Sequence, residues 1–150
     1  MWRLLFPLAI VLSGAPGQAR LTPEARQEIL DYKFTMQRAN QLIAALPEMS
    51  KFVASLSPEA LAKAAKATPA ERVANTANNP TSAAILKRNG LTATEYLVGV
   101  PALRMAMMIA EGIQSPDIFA SPANVAFVKA NLAELKPRWA AANGLSSPVK

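Results

Sequence analysis

Between residues 22 and 122 a short polar residue followed by proline recurs six times, at Thr22-Pro23, Ser57-Pro58, Thr68-Pro69, Asn79-Pro80, Ser115-Pro116 and Ser121-Pro122. Proline has no amide hydrogen, which bars it from a helix interior or a central strand. At the first helical position that donor would have no partner in any case. The Thr, Ser or Asn before it accepts from the free N–H groups of the first turn. Glu24, Glu59, Glu71 and Asp117 then follow within that turn, where the helix dipole favours an acid. Each pair therefore predicts a helix start, and six of them between residues 22 and 122 predict several helices joined by short turns. Composition points the same way: 30 alanines stand against 6 glycines, and alanine is the best helix former. No stretch alternates convincingly with period two. The expected fold is an all-α, single-domain helical bundle of about five to seven helices over residues 20–144.

The apolar spacing places the helices. Ile29, Tyr32, Met36, Ala39, Ile43 and Leu46 recur in steps of three and four, widened by Leu30 and Leu42. That stripe predicts one helix from Pro23 to about Leu46, a break at Pro47 and a short continuation to Leu56. Pro58 to Ala67 reads as a short alanine-rich helix. Thr68 and Glu71 form a capping box that opens another, to about Asn78. Pro80 to Asn89 follows, and Gly90 stands where a left-handed cap is wanted. Thr92 and Glu95 make a second capping box, with Leu91 and Tyr96 placed for a hydrophobic staple. The apolar helix after it should bend at Pro101, eased by Gly99, and stop at Gly112. The last helix carries Val125, Val128, Leu132, Leu135 and Trp139 on one stripe. It is expected to kink or divide at Pro137 and to end at Gly144, leaving 145–150 as a flexible tail. The stripe-bearing helices at the two ends are expected to pair.

The first 19 residues follow a different logic. Arg3 supplies a positive end, Leu4 to Leu12 form an uncharged apolar run, and Ser13, Gly14, Pro16 and Gly17 break it before the small Ala19. That order is a cleavable signal peptide with its cut between Ala19 and Arg20. The run is too short to span a bilayer, which takes roughly 20 residues. With no cysteine in the chain, a bacterial lipoprotein tethered through a lipidated cysteine is not expected. The expectation is an exported protein without a transmembrane span after processing.

Composition narrows the chemistry. The absence of Cys and His removes disulfides, thiolate nucleophiles, imidazole bases and the common zinc sites. Only carboxylate, Lys, Tyr or Ser chemistry remains. Glu24, Glu28 and Asp31 share a helical face, but a solvated first turn has the same pattern. Nothing matches a nucleophile elbow or a phosphate loop, so no enzyme, cofactor or metal is expected. Removing Arg3 leaves 15 Lys and Arg against 10 Asp and Glu, a net +5. Those cations are scattered, which predicts a solvated surface weakly attracted to anions rather than a nucleic-acid site.

The candidate surface lies on residues 96–110, the most apolar stretch after the signal. Met105, Met107 and Met108 are flexible and polarizable, as an adaptable apolar pocket requires. The same pattern fits a core helix around which the others wrap. Tyr96 and Arg104 complete the candidate set; Arg104 and Glu111 mark one narrow wet face, and Ala102, Ala106 and Ala110 form a strip that permits close helix approach. Thr92, Glu95 and Asn124 are candidate structural polar residues, Asn124 through a bond to its preceding loop. Two functional readings result. One is a non-enzymatic module that binds a partner protein or the envelope surface. The other is a carrier or sensor of a small apolar ligand held by the Met-rich helix.

Two segments carry a resemblance. Asn89-Gly90-Leu91-Thr92-Ala93-Thr94-Glu95-Tyr96 leads into the apolar helix, and Pro122-Ala123-Asn124-Val125-Ala126-Phe127-Val128-Lys129-Ala130-Asn131 opens the last one. Together, over roughly residues 85–135, they resemble a group of small exported all-helical proteins of proteobacteria, a group with no established activity. The resemblance implies a Gram-negative periplasm, with the extracellular space as second choice. It carries over no catalytic residue.

Overall fold

In the computed structural model, residues 21–144 are described. They form α1 (Pro23–Asp31), α2 (Met36–Ala54), α3 (Pro58–Lys66), α4 (Pro69–Asn78), α5 (Pro80–Arg88), α6 (Ala93–Ala110) and α7 (Pro122–Ala142). No strand occurs among the described residues, so the chain is all-α as expected. The signal segment 1–19, its Ala19–Arg20 junction and the 145–150 tail lie outside the described residues.

Five of the six polar-Pro pairs open helices. Thr22, Ser57, Thr68, Asn79 and Ser121 each accept from a backbone N–H of the following turn. The sixth does not: at Ser115-Pro116-Asp117 the Ile118 N–H donates to the Ser115 carbonyl at 3.0 Å and the turn goes no further. Two residues later Phe119 is buried with Ile29, Ala102 and Met105, under the Arg26 guanidinium, 4.0 Å from its ring centroid. Burying that ring outweighs a single helical turn, whose nucleation is unfavourable on its own.

The long first helix expected from Pro23 to Leu46 is two helices. Tyr32 and Thr35 take extended backbone angles, and the Thr35 hydroxyl accepts from the Arg38 N–H at 3.1 Å to cap α2. In an extended link, residues two apart share a face. Tyr32 and Phe34 accordingly turn inward while Lys33 and Thr35 face solvent. A continuous helix would hold Tyr32 and Phe34 about 200° apart. Both rings gain cover from the break, which the three-and-four spacing on either side conceals. Pro47 departs from expectation in the opposite sense, because α2 runs through it to Ala54. Met49, beyond the proline, is buried in the same cluster as Leu42, Ala45 and Leu46. That packing offsets the roughly 3 kcal/mol an interior proline costs. Pro137 likewise leaves α7 undivided, and Pro101 lies inside α6.

α6 is the hub. It packs on α1, α2, α4 and α5, and most extensively on α7. The expected pairing of the end helices appears as α2 against α7. The core has three clusters: Leu42, Leu46, Leu86 and Tyr96 centre the first, Ile43, Leu103, Val128 and Leu135 the second, and Ile29, Met105 and Phe119 the third. Phe34 packs against all three, and Trp139 against the first two. Gly99 is where α6 comes closest to α2 and the corner before it. A Cβ there would stand 2.8 Å from Leu42 Cδ1 and 2.9 Å from the Tyr32 hydroxyl oxygen. Neither atom can swing into solvent, since Leu42 is fully covered and the Tyr32 hydroxyl is buried. Gly99→Ala gains up to about 1 kcal/mol of helix propensity but overpacks the contact at a cost of about 1–3 kcal/mol. Urea unfolding is expected to show a net loss near 1 kcal/mol; a more stable variant would mean that this contact is slack.

Candidate functional site

The turn into α6 is the most densely bonded place in the fold. α5 ends on Gly90, whose φ of +70° lets the Leu91 N–H reach back to the Leu86 carbonyl at 2.9 Å. A side chain disfavours that left-handed geometry, so glycine is the natural residue. Thr92 then caps α6. Its hydroxyl accepts from the Glu95 N–H at 3.1 Å, and Glu95 Oε2 accepts from the Thr92 N–H at 2.8 Å. The box leaves Oε1 free to pair with Arg38 Nη2 at 2.8 Å, while Arg38 Nη1 donates to the Gly90 carbonyl at 3.0 Å. One guanidinium thus ties α2 to both sides of the α5–α6 turn. Leu91 and Tyr96 are buried in the same cluster, as the staple required.

Beside this junction, Glu28, Asp31, Tyr32, Thr94, Glu95 and Val98 line an open depression of about 400 Å³ between α1 and α6. Two of the three acids considered for catalysis, Glu28 and Asp31, meet there with Glu95; Glu24 does not line it. The arrangement suits structure better than acid–base work. The Thr92 N–H bond holds the Glu95 carboxyl below the usual range, with the Thr92 hydroxyl and Arg38 adding to the effect and partial burial opposing it. A general acid needs the opposite shift. Asp31 accepts from the Gln27 amide at 2.9 Å, and Glu111 pairs with Lys136 at 2.7 Å. Among the described residues no group of three His, Cys, Asp or Glu converges to hold a metal. A second open depression, about 450 Å³, lies between α2 and α5 around Phe52, Lys51 and Arg88, where Arg88 pairs with Glu48.

The candidate residues of α6 separate. Met105 is buried with Ile29, Ala102 and Phe119. Met107 is buried in another cluster, with Leu103, Ala106 and Val128, and Met108 is half-buried. None of the three lines either depression. Tyr96 is 1% exposed, and its hydroxyl has no hydrogen-bond partner among the described residues; burial pushes its pKa up. Arg104 is half-buried and desolvation lowers its pKa. The alanine strip also divides: Ala106 and Ala110 pack towards α7, while Ala102 joins the cluster around Ile29.

Asn124 does more than cap. It is 2% exposed, and its amide nitrogen donates to the Tyr32 carbonyl at 2.8 Å. The expected partner was the loop just before it; the actual one is the α1–α2 corner. Comparison with known protein families, with curated proteins and with solved structures finds no match. The functional reading therefore rests on this chain's own geometry. Sequence reasoning missed Arg38, whose role depends on contacts with residues 52 and more positions away. The one local signal was its place three residues after a capping threonine.

Glu95 gives a pH signature. A carboxyl whose folded pKa is lowered contributes stability above its ordinary value of 4.5, and that contribution disappears as pH falls through the folded pKa. Glu95→Gln is expected to cost about 1 kcal/mol at neutral pH. In urea melts, the gap from the parent protein should shrink as pH falls below 4.5. A gap that stays constant from pH 7 to about pH 3 would place the effect elsewhere.

Proposed function

We propose that this chain is an exported, non-enzymatic protein of the Gram-negative periplasm that binds a partner protein or the envelope surface. The observation that carries the reading is the pair α3 and α4. Both are well-capped helices, Ser57 capping one and a complete Thr68–Glu71 box the other, and neither buries a residue. Most helical stability in a folded protein comes from burying an apolar face. Here local caps hold α3 outside the core and α4 at its margin, where Val73 touches the first cluster, and leave Ala62, Ala64, Ala65, Ala70, Ala74 and Ala77 exposed. Such a surface is available for contact, whereas the two depressions are open and enclose no ligand-sized space. The order of charge, apolar run and small residues in 1–19 supports export.

The test is site-specific photo-crosslinking in the native cell, with the probe at Ala62 or Ala74 and, as control, at Ala130 on α7. The reading expects a chain beginning at Arg20 and adducts from the first two positions alone. A full-length cytoplasmic chain, or adducts equally frequent from Ala130, would defeat it.

A further inference from the structure

The cations, scattered in sequence, are unevenly shared by the fold. Residues 51–90, from the last turn of α2 through α5, hold six Lys and Arg against two Glu, a net +4. The other described residues hold seven cations against eight acids, a net −1. α3 lies within the basic part and makes only marginal contact with the other helices. Glu59, Lys63 and Lys66 fall within an arc of about 60° on it, and Pro58, Leu61 and four alanines take the rest. Among the described residues, neither Lys63 nor Lys66 has an ion-pair partner.

Resting on the proposed surface-binding role, we infer that α3 docks on an anionic phospholipid surface. Charge complementarity supplies the attraction, because basic residues near a membrane are drawn to anionic headgroups. The shape of the face selects lipid over an acidic protein. Protein interfaces depend on large anchors such as Trp, Tyr or Arg seated in pockets, and the exposed residues of α3 are alanine, lysine, proline and glutamate. Glu59 stands between the two lysines on this face, and their longer side chains reach past it and past the short Ala62 to phosphate oxygens. Leu61 is half-buried, so little apolar side chain is available for insertion. The contact is therefore peripheral, reversible and salt-sensitive.

Co-sedimentation of the processed, exported protein with phosphatidylcholine vesicles, with or without about 30% phosphatidylglycerol, tests this. Binding is expected only to the anionic vesicles, and it should fall at least about tenfold between roughly 0.05 and 0.5 M salt. Lys63→Glu/Lys66→Glu should reduce it by a similar factor. Lys33→Glu/Lys129→Glu, the same charge change at exposed sites outside the basic part, should reduce it far less. Ala62→Leu, about 40° from Lys66 on the same side of the helix, should strengthen it by adding apolar surface. Circular dichroism and unfolding midpoints confirm that each variant folds. No binding to anionic vesicles, or equal loss in both charge-reversed variants, overturns the inference. Photo-adducts from Ala62 to a protein, without vesicle binding, would also overturn it while leaving the broader surface-binding role standing. Loss of both adducts and vesicle binding would end the two together.

Discussion

The Asn124 amide donates to the Tyr32 carbonyl at 2.8 Å across 92 residues of sequence, and the rest of the packing is arranged around the corner it pins. Tyr32 ends α1 and Thr35 starts α2, so the links between them have no helical ladder to satisfy their backbone groups. A buried carbonyl left without a donor costs about 1–3 kcal/mol. Asn124 supplies the donor from the first turn of α7, where the Ser121 hydroxyl holds its own N–H at 3.2 Å. The corner then carries a stack of aromatic rings. Phe34 lies 5.0 Å from Tyr32 and 5.8 Å from Phe127 of α7, centroid to centroid. Because Phe34 reaches all three core clusters, the corner couples α1, α2, α6 and α7 into one packing unit. Gly99 belongs to the same arrangement, since only a residue without a side chain leaves room for Tyr32 and Leu42 together.

Much of this could be read from the chain because helix starts are local events. Thr68 with Glu71 and Thr92 with Glu95 form their boxes within four residues, and Gly90 and Gly112 stop α5 and α6 through their own backbone angles. The errors fall where tertiary contacts outweigh local preference. Phe119 is drawn inward and stops a helix at Ser115-Pro116. Met49 is held in the core and carries α2 through Pro47. The Tyr32–Thr35 corner is invisible to periodicity because the stripes on either side continue in phase. The candidate site was legible only in part: Thr92, Glu95 and Leu91 sit as their motif implies, whereas Asn124 and Arg38 find partners that no spacing rule identifies.

The same division separates the interior from the proposed contact surface. α6 spends two of its three methionines, Met105 and Met107, on different core clusters. α3, which remains outward, and α4, which touches the core through Val73, are held by caps and carry short side chains among charges. Stability and the proposed contact thus fall to different parts of the chain, so substitutions on α3 are expected to leave undisturbed the corner that organises the core.

Paired equilibrium unfolding of Asn124→Ala and Asn131→Ala tests the central place of that corner most directly. Both asparagines donate to a backbone carbonyl at 2.8 Å, but Asn131 reaches only to Phe127, one turn back on its own helix. That carbonyl keeps its ladder bond when the amide is removed, whereas the Tyr32 carbonyl loses its donor. Asn124→Ala is expected to lose about 1–3 kcal/mol and Asn131→Ala less than about 0.5 kcal/mol. Equal losses in the two variants would contradict the account.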